Sequence, residues 1–297
     1  MAVRAAVLGS PITHSLSPAL HRAGYRELGL TDWSYSAIEC DEQSLAGFLS
    51  SLGPDWAGLS LTMPLKRVVL PLLDDAEQLA LDVGAANTVL LRDGRRLGYN
   101  TDVPGIVTAL RQAGVTTGGN ALLLGSGATA CSALAALREI GASAITVAVR
   151  SRPRAEPLLG VAARLGLDVR LIELGTVGGA GPAGAGPAGG AGAGLGRARW
   201  QLLISTIPAA GAAAVASQIR AGVVQADAVF DVVYDPWPTA LAEAASGAGL
   251  LVISGYELLL HQAVGQFELM TGRQAPVAAM RAAGLAELDR RRNILAR

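Results

Sequence analysis

The stretch Ala121-Leu122-Leu123-Leu124-Gly125-Ser126-Gly127-Ala128-Thr129-Ala130 decides the fold of this chain of 297 residues. Its large aliphatic residues predict a buried strand, and the alanine-rich segment that follows predicts a helix to about Ile140. Between the two, Gly125-x-Gly127-x-x-Ala130 matches the glycine fingerprint of a strand, turn and helix that bind a dinucleotide. Gly125 permits the tight turn, and Gly127 lets the backbone approach the pyrophosphate, which the first helical amides then face. A tight turn without a ligand is the alternative interpretation.

The same alternation of short apolar runs and helix-length segments continues through most of the chain, which is typical of βαβ units around a parallel sheet. Strands are predicted at residues 3–8, 33–40, 56–62, 121–124, 144–149, 169–172, 201–205, 228–233 and 250–253, with a hairpin over 87–99. Further helices are predicted at residues 17–28, 42–52, 74–82, 102–113, 153–165, 257–271 and 276–290. The fold class is therefore α/β with two domains. An N-terminal α/β domain is expected over residues 1–101 and a Rossmann-type dinucleotide-binding domain over 102–297, with the C-terminal helix packing back on the first domain.

Composition and charge argue against several classes of protein. The 24 acidic residues balance the 24 basic ones, which argues against a nucleic-acid partner, and no uninterrupted apolar run is long enough to span a membrane. Neither Cys40 and Cys131 nor the three histidines have the spacing of a metal site, so we expect reduced thiols, no metal and a cytoplasmic protein. The glycine- and alanine-rich tract 175–196 is predicted to be a flexible surface loop, because it offers little surface to bury.

The residues after the second strand of the fingerprint unit decide which dinucleotide is expected. A site for NAD usually has Asp or Glu there, which binds the ribose hydroxyls. This chain instead has Val149-Arg150-Ser151-Arg152-Pro153-Arg154, whose guanidinium groups and hydroxyl suit a 2′-phosphate that a carboxylate would repel. We therefore predict NADP as the cofactor, with a solvated basic turn as the alternative.

Small polar side chains lie at the ends of several predicted strands of the first domain. Four segments share this position: SPITHSLS (10–17), SLTMPLK (60–66), Asn87-Thr88 and Asn100-Thr101-Asp102. Ligands of α/β sheets bind at the carboxyl ends of strands, so these segments are expected to converge there. Any one of these Ser or Thr residues, taken alone, is better explained as a turn or cap residue.

Lys66 is the single lysine of the chain, beside 23 arginines. A high-GC genome explains the bias towards arginine, but an ammonium group can lose a proton where a guanidinium group cannot. Asp102 would orient this ammonium group and favour its charged form, whereas burial would oppose that form. The pair suits hydride transfer between an alcohol and a ketone, which needs one proton carried to or from oxygen. A surface ion pair of little energetic consequence is the alternative.

Taken together, these motifs resemble those of the shikimate dehydrogenase family. The matching segments are S-P-I-x-H-S-x-S-P (10–18), T-M-P-x-K (62–66), A-N-T (86–88), N-T-D-x-x-G (100–105) and SGYELLLHQA (254–263). They occur in the family's order and span nearly the whole chain. The resemblance implies an NADPH-dependent, reversible reduction of 3-dehydroshikimate to shikimate, a step of chorismate and aromatic amino-acid biosynthesis.

The resemblance also implies roles for individual residues. It assigns Ser15 and Ser17 to the substrate carboxylate and makes Lys66 the acid/base residue, with Asp102 beside it. The remaining substrate-binding residues are Thr62, Asn87, Asp102, Tyr234 and Gln262. The cofactor-binding residues are Gly125, Ser126, Gly127, Ala128, Thr129, Arg150, Ser151, Arg154, Val232 and Gly255. The last two match positions that pack against the nicotinamide.

Two departures from the family's pattern accompany the alternatives that stay open. Many members have Asn where this chain has Ser60, and Asn where it has Val149. An NAD-dependent quinate/shikimate dehydrogenase is the nearest alternative, although no acidic residue follows Val149. A catalytically silent NADP-binding sensor is another, although Lys66 and Asp102 are both present. The late apolar helices can pack within the chain or across a homodimer, and the sequence does not decide between the two.

Overall fold

The computed structural model describes residues 2–179 and 198–295. The chain divides into two compact units, Met1–Gly105 together with Leu259–Arg297, and Ile106–Leu258. This division differs from the boundary expected at residues 101/102, because the first turn of the helix that starts at Asp102 belongs to the first unit. The residues from Leu259 onwards also belong to the first unit, so that unit consists of two separate pieces of the chain.

The first unit is built on a six-stranded sheet with the order β2-β1-β3-β5-β6-β4. Its elements up to the start of the second unit are β1 (Val3–Gly9), α1 (Ser17–Glu27), β2 (Trp33–Glu39), α2 (Leu45–Ser50), β3 (Trp56–Leu61), α3 (Leu65–Val68), β4 (Asp75–Ala76), α4 (Gln78–Val83), β5 (Thr88–Arg92), β6 (Arg95–Tyr99) and α5 (Asp102–Gln112). Strands β2, β1 and β3 are parallel, whereas the hairpin β5–β6 runs antiparallel to β3. The sheet is therefore mixed, and its parallel part carries the βαβ connections that the sequence predicts.

The prediction of a helix over residues 74–82 is wrong for the first half of that range. Asp75 and Ala76 form strand β4 and pair in parallel with Leu97 and Gly98, so the helix starts only at Gln78. Pairing with a strand about twenty residues away overrides the local preference of these residues. The short helix α3, which carries Lys66, was not predicted either.

The second unit is a doubly wound parallel sheet. Its elements and those that follow are β7 (Asn120–Leu124), α6 (Ala128–Glu139), β8 (Ala144–Val149), α7 (Glu156–Arg164), β9 (Val169–Glu173), β10 (Ala198–Ser205), α8 (Ala213–Arg220), β11 (Val224–Asp231), α9 (Ala240–Gly247), β12 (Leu251–Ser254), α10 (Gly255–Thr271) and α11 (Val277–Leu295). The strand order β12-β11-β10-β7-β8-β9 is the Rossmann order 3-2-1-4-5-6 read from the other side. The predicted Rossmann-type fold is thereby confirmed.

Burial explains why the aliphatic strand β7 forms at the centre of this sheet. Leu122, Leu123 and Leu124 are all fully buried, with β8 on one side and β10 on the other. Val177 is also fully buried in this core, and it lies in a short 3₁₀ helix, Leu174–Gly179. The start of the tract predicted to be a flexible loop is therefore helical, while its residues 180–196 lie outside the described residues.

The two late helices contribute to the first unit. Helix α11 packs on α1, and Phe267 of α10 contacts Gly24 of α1 so closely that a Cβ atom there would meet its ring at 2.6 Å. Across residues 2–179 and 198–295, no helix is long and apolar enough to cross a membrane.

Candidate active site

The register of the first sheet brings together the segments that follow β1 and β3. The two strands are parallel neighbours with Leu8 opposite Leu61, so they end at the same edge. Their backbones stay bonded beyond that point, because Thr62 N donates to the Leu8 carbonyl and Ser10 N to the Met63 carbonyl, each at 2.9 Å. The polar residues after the two strands therefore share one edge of the sheet, as expected from the sequence.

Asn87 lies at the same edge because β5 is antiparallel to β3 and starts where β3 ends. Leu61 N donates to the Asn87 carbonyl at 2.7 Å, and Asn87 N donates to the Tyr99 carbonyl at 3.0 Å. The second bond brings the start of α5 beside Asn87. Ala86 N also donates to the Lys66 carbonyl at 2.8 Å, which fixes α3 against the same segment.

Lys66 and Asp102 form an ion pair in which Lys66 Nζ donates to Asp102 Oδ2 at 2.7 Å. Only 15% of the Lys66 side chain and 4% of the Asp102 side chain are exposed. The other carboxylate oxygen, Oδ1, accepts a hydrogen bond from Asn87 Nδ2 at 2.9 Å. A buried charge that is paired and hydrogen-bonded recovers part of its desolvation cost. An ammonium group has three N–H donors, so Lys66 has the capacity to donate to an oxygen of a bound molecule as well.

The backbone around Asp102 is fixed by Asn100, which caps the start of α5. Its side-chain oxygen accepts hydrogen bonds from Asp102 N at 3.1 Å and Val103 N at 3.2 Å, and its amide nitrogen donates to the Ala85 carbonyl at 2.8 Å. Asn100 N donates in turn to Glu77 Oε1 at 2.5 Å. Burial raises the pKa of Glu77, and the hydrogen bond from Asn100 opposes this shift. The main chain that carries the Asp102 carboxylate is therefore held in a fixed position.

The side chain of Asn87 has a single orientation that satisfies its neighbours. Its amide oxygen accepts from Thr101 N at 2.8 Å and from Thr88 Oγ1 at 2.9 Å. The amide nitrogen must then face Asp102, and it also reaches Thr101 Oγ1 at 2.9 Å and Gln262 Oε1 at 3.4 Å. The structure thus brings four of the predicted site residues into direct contact, namely Lys66, Asn87, Asp102 and Gln262.

A buried chain of hydrogen bonds also holds the backbone carbonyl of Asn87. Tyr35 OH donates to Ser60 Oγ at 2.6 Å, and Ser60 Oγ donates to Gln266 Oε1 at 2.7 Å. Gln266 Nε2 then donates to the Asn87 carbonyl at 3.1 Å. Ser60 and Gln266 were not assigned to the site from the sequence. The available signal for Gln266 is its position four residues after Gln262, on the same face of a helix.

The remaining predicted substrate residues of the first unit lie close to the same strand ends. Ser15 is half-buried in the loop after β1, and Ser17 is buried at the start of α1, where its backbone N–H donates to Ser15 Oγ at 3.3 Å. Thr62 is half-buried and directly follows β3. Glu39 Oε2 accepts from Ile12 N at 3.0 Å and so holds the beginning of the serine loop.

In the second unit, the glycine turn has the geometry that a dinucleotide requires. Gly125 has a φ of +111°, and a Cβ atom on it would meet Thr206 Oγ1 at 2.6 Å, so only glycine fits. Nothing lies within 4 Å of the position that a Cβ atom on Gly127 would take, which leaves space for a ligand against the backbone. Helix α6 begins at Ala128, directly after this turn, so Ala128 and Thr129 present amides of its first turn.

The predicted 2′-phosphate residues lie next to this turn. Gly125 N donates to the Ala148 carbonyl at 2.9 Å, so the end of β8 and the glycine turn share one edge of the sheet. Arg150 and Arg154 are exposed and Ser151 is half-buried in the segment that follows. Exposed guanidinium groups beside a dinucleotide turn fit a phosphate group well.

The other predicted cofactor residues lie at the ends of β11 and β12. A Cβ atom on Gly255 would clash with the Val232 carbonyl, so glycine is required for the approach of these two segments. Asp231, fully buried before Val232, accepts a hydrogen bond from Thr239 Oγ1 at 2.6 Å, and burial raises its pKa. This bond closes the loop that carries Tyr234, which is half-buried.

The two units together define a class of protein. A doubly wound unit with a glycine turn is typical of dinucleotide-binding proteins, and a largely buried lysine paired with a carboxylate is suited to proton transfer; nicotinamide-dependent oxidoreductases combine the two. In the part of the chain that the structure describes, no group of three or more His, Cys, Asp or Glu side chains is placed to hold a metal ion.

The chain belongs to the shikimate dehydrogenase family. Residues 7–89 match the shikimate dehydrogenase substrate binding domain, and residues 255–283 match the shikimate 5′-dehydrogenase C-terminal domain. The shikimate dehydrogenase (NADP(+)) of Nitrosopumilus maritimus is 34% identical over 281 residues, which cover 94% of this chain and 96% of the relative. The family and the α/β fold class predicted from the motifs are thus confirmed.

Solved structures agree with this assignment. The shikimate dehydrogenase of Mycobacterium tuberculosis is 40% identical, with a TM-score of 0.82 over 96% of this chain and 99% of that one. The shikimate 5-dehydrogenase of Thermus thermophilus, solved in complex with NADP(H) and shikimate, is 31% identical, with a TM-score of 0.77 over 96% and 99% of the two chains.

Proposed function

We propose that this protein catalyses the NADPH-dependent, reversible reduction of 3-dehydroshikimate to shikimate in chorismate and aromatic amino-acid biosynthesis. The observation that carries the proposal is the Lys66–Asp102 ion pair of 2.7 Å, which is largely buried and is hydrogen-bonded to Asn87 through the second carboxylate oxygen. Relatives named as NADP-dependent shikimate dehydrogenases along nearly the whole chain support the choice of substrate and cofactor.

Lys66 is the acid/base residue of the proposed reaction. Reduction of a ketone needs a proton at oxygen, and the bound cofactor supplies the hydride to carbon. The Lys66 ammonium group donates that proton, and in the reverse direction the neutral amine accepts it from the hydroxyl group. Asp102 orients Lys66 and balances its charge, and Asn87 prevents the carboxylate from rotating away.

The substrate is held by uncharged side chains as well as by the ion pair. Ser15 and Ser17 bind the carboxylate, since hydroxyl groups donate to it without requiring a buried counter-charge. The ring hydroxyls are bound by Thr62, Asn87, Asp102 and Gln262. Tyr234 is a further substrate contact in this proposal.

NADP is bound by the second unit. The amides of Gly125, Ser126, Gly127, Ala128 and Thr129 face the pyrophosphate, and the open space at Gly127 fits that role. Arg150, Ser151 and Arg154 bind the 2′-phosphate, while Val232 and Gly255 pack against the nicotinamide. The exposure of both arginines next to the glycine turn supports NADP over NAD.

Steady-state kinetics of the purified protein test the proposal. Shikimate with NADP should be oxidised much faster than quinate with NAD. Lys66→Ala should lower kcat by about 10²- to 10⁴-fold, with a much smaller effect on KM. Lys66→Arg should lower kcat to a similar extent, because a guanidinium group keeps the charge but does not release a proton.

Each alternative has its own outcome in the same assay. Equal rates with quinate and NAD would favour the quinate/shikimate dehydrogenase. Absence of turnover with either pair, together with retained NADP binding, would favour a silent sensor. If Lys66→Arg retained full activity, the role of Lys66 would be that of a charge alone.

Location and assembly complete the proposal. A biosynthetic step of this kind, and two buried cysteines with no disulfide between them, support a cytoplasmic protein. Helix α11 carries an exposed large apolar side chain, Leu285, which we take as the candidate contact of a homodimer. Sedimentation of the wild-type protein and of Leu285→Glu would test the dimer.

A further inference from the structure

Helix α11 carries three consecutive arginines whose surroundings differ. The side chains of Arg290 and Arg292 are 60% and 45% exposed, whereas that of Arg291 is 22% exposed. The outer two form ion pairs within the helix, with Glu287 and Asp289 respectively. Arg291 alone of these three turns towards the loop after β1, which carries Ser15.

The guanidinium group of Arg291 holds two successive backbone carbonyls of that loop. Its Nη1 donates to the His14 carbonyl at 2.8 Å, and its Nη2 donates to the Ser15 carbonyl at 3.1 Å. Its Nε donates to Glu287 Oε1 at 2.8 Å. All three nitrogens of a planar, rigid group are thereby used, and lysine cannot reproduce this arrangement.

Glu287 secures the arginine from the helix side. Hydrogen bonds from Arg290, the largest cause, and from Arg291 lower the pKa of Glu287 to about 2. The carboxylate is therefore ionised at any pH at which the enzyme would be assayed. The hydrogen bond from Arg291 to Glu287 is therefore kept across that pH range.

The loop between β1 and α1 is also held at its two ends and by a turn of its own, in which Ser15 N donates to the Ile12 carbonyl at 3.0 Å. Its beginning is held by Glu39 through Ile12 N at 3.0 Å, and its end by the start of α1 at Ser17. The contacts of Arg291 fall between these points, at the residue that is proposed to bind the carboxylate. A hydroxyl group can hold a ligand in a fixed place only if the backbone that carries it is itself fixed. The contacts of Arg291 with the two carbonyls therefore fix the position of Ser15 relative to α11.

We propose that Arg291 is a positioning residue for the substrate carboxylate, which fixes the backbone of Ser15 from α11 without touching the substrate. This inference rests on the proposed function, in which Ser15 and Ser17 bind the carboxylate. It adds a long-range contact, across 276 positions of the chain, to the determinants of substrate affinity.

The test compares Arg291→Gln with Arg290→Gln, since both remove one arginine from Glu287 but only the first releases the loop. Kinetics are measured with shikimate and with its methyl ester, which lacks the carboxylate charge. Arg291→Gln should raise KM for shikimate about tenfold, with kcat and KM for NADP changed by less than about threefold. For the methyl ester the rise should be clearly smaller, because the interaction that the loop provides is already weakened. Arg290→Gln should leave all these values near those of the wild type.

Hydrogen exchange gives a readout that does not depend on turnover. Peptides that cover residues 10–20 should exchange faster in Arg291→Gln than in Arg290→Gln, while thermal unfolding of the two variants should differ little. Equal losses with shikimate and its ester, or equal behaviour of the two variants, would overturn the positioning role while wild-type activity upheld the proposed function. A wild-type protein that does not turn over shikimate would overturn both.

Discussion

The two units present different parts of the polypeptide to their proposed ligands. In the second unit the glycine turn offers backbone amides, and Gly127 even lacks neighbours where a side chain would lie. In the first unit the candidate site consists of side chains, and Asn87 alone bonds to Asp102, Thr101 and Gln262. A backbone site is set by a few consecutive residues, whereas a side-chain site depends on contacts such as that of Asn87 with Gln262, 175 positions away.

The first and largest expected effect is that of Asp102→Asn, which disrupts the side-chain site. In Asp102→Asn, the new amide group can satisfy Asn87 through its oxygen only by turning an N–H donor towards the Lys66 ammonium group, so the pair is lost. We expect kcat with shikimate to fall about 100-fold or more, with thermal stability reduced as well. Rates measured over a pH series for wild type and variant would also report how the pair titrates.

Asp75→Asn is the control for this change. Asp75 is also part of an ion pair, with Arg95 at 3.4 Å, but its side chain is 64% exposed. Its loss should leave kcat unaltered, because exposed ion pairs contribute little. A small effect of Asp102→Asn, comparable with this control, would mean that the Lys66–Asp102 pair is structural.

The backbone site is tested by two glycines that are two residues apart. Gly125→Ala forces a side chain into a φ of +111° and against Thr206, so we expect the free energy of unfolding to fall by about 3 kcal/mol. Gly127→Ala meets no neighbour, so its melting temperature should stay near that of the wild type while NADP binds more weakly. Denaturant unfolding and fluorescence titration with NADP measure the two effects. Equal destabilisation by both substitutions would contradict this separation of folding from binding.

The smallest expected effect concerns the polar interior of the first unit. His21 is fully buried and stacks on Tyr35, with ring centroids 4.0 Å apart. Burial lowers the pKa of His21 to about 3, and among the described residues neither ring nitrogen has a hydrogen-bond partner. In the unfolded chain the imidazole has a pKa of about 6.5. Between these values the unfolded chain binds a proton that the folded chain does not, so His21 makes stability fall as the pH falls from about 6.5 towards 3.

The variant His21→Phe keeps a ring at this position but cannot titrate. Between pH 7 and pH 5 the wild type should lose about 2 kcal/mol more of its free energy of unfolding than the variant does. Asp231 in the second unit acts with the opposite sign, because burial raises its pKa, and it cancels in the difference between the two proteins. Urea unfolding at several pH values gives this difference, with His14→Gln, at an exposed histidine, as the control for loss of an imidazole. Parallel curves for wild type and His21→Phe would show that this histidine does not contribute.

The same contrast explains how much of the molecule could be predicted. The strand, glycine turn and helix around Gly125 follow from consecutive residues, because each of them has a local conformational reason for its position. The meeting of Lys66, Asn87 and Asp102 was accessible through motifs, since Lys66 and Asp102 follow strands that end at one edge of the sheet and Asn87 precedes a strand that starts there. Strand β4 was missed because it exists only through pairing with β6.

The supporting residues of the site had no local signal. Ser60 departs from the family's usual residue, and its bonds to Tyr35 and Gln266 join three separate elements. Arg291 is one of several arginines in a polar helix, and nothing in its neighbours along the chain distinguishes it from Arg290. Such residues are chosen by tertiary packing, which a pattern of consecutive residues does not encode.

The division of the first unit into two pieces of chain has a consequence for biosynthesis. Residues 1–105 leave the ribosome before the second unit, whereas Gln262, Gln266 and Arg291 are made after it. The hydrogen bonds of Asn87 with both glutamines can therefore form only after the strands of the second unit have been synthesised. Synthesis thus makes all residues of the cofactor unit before the last residues of the substrate site.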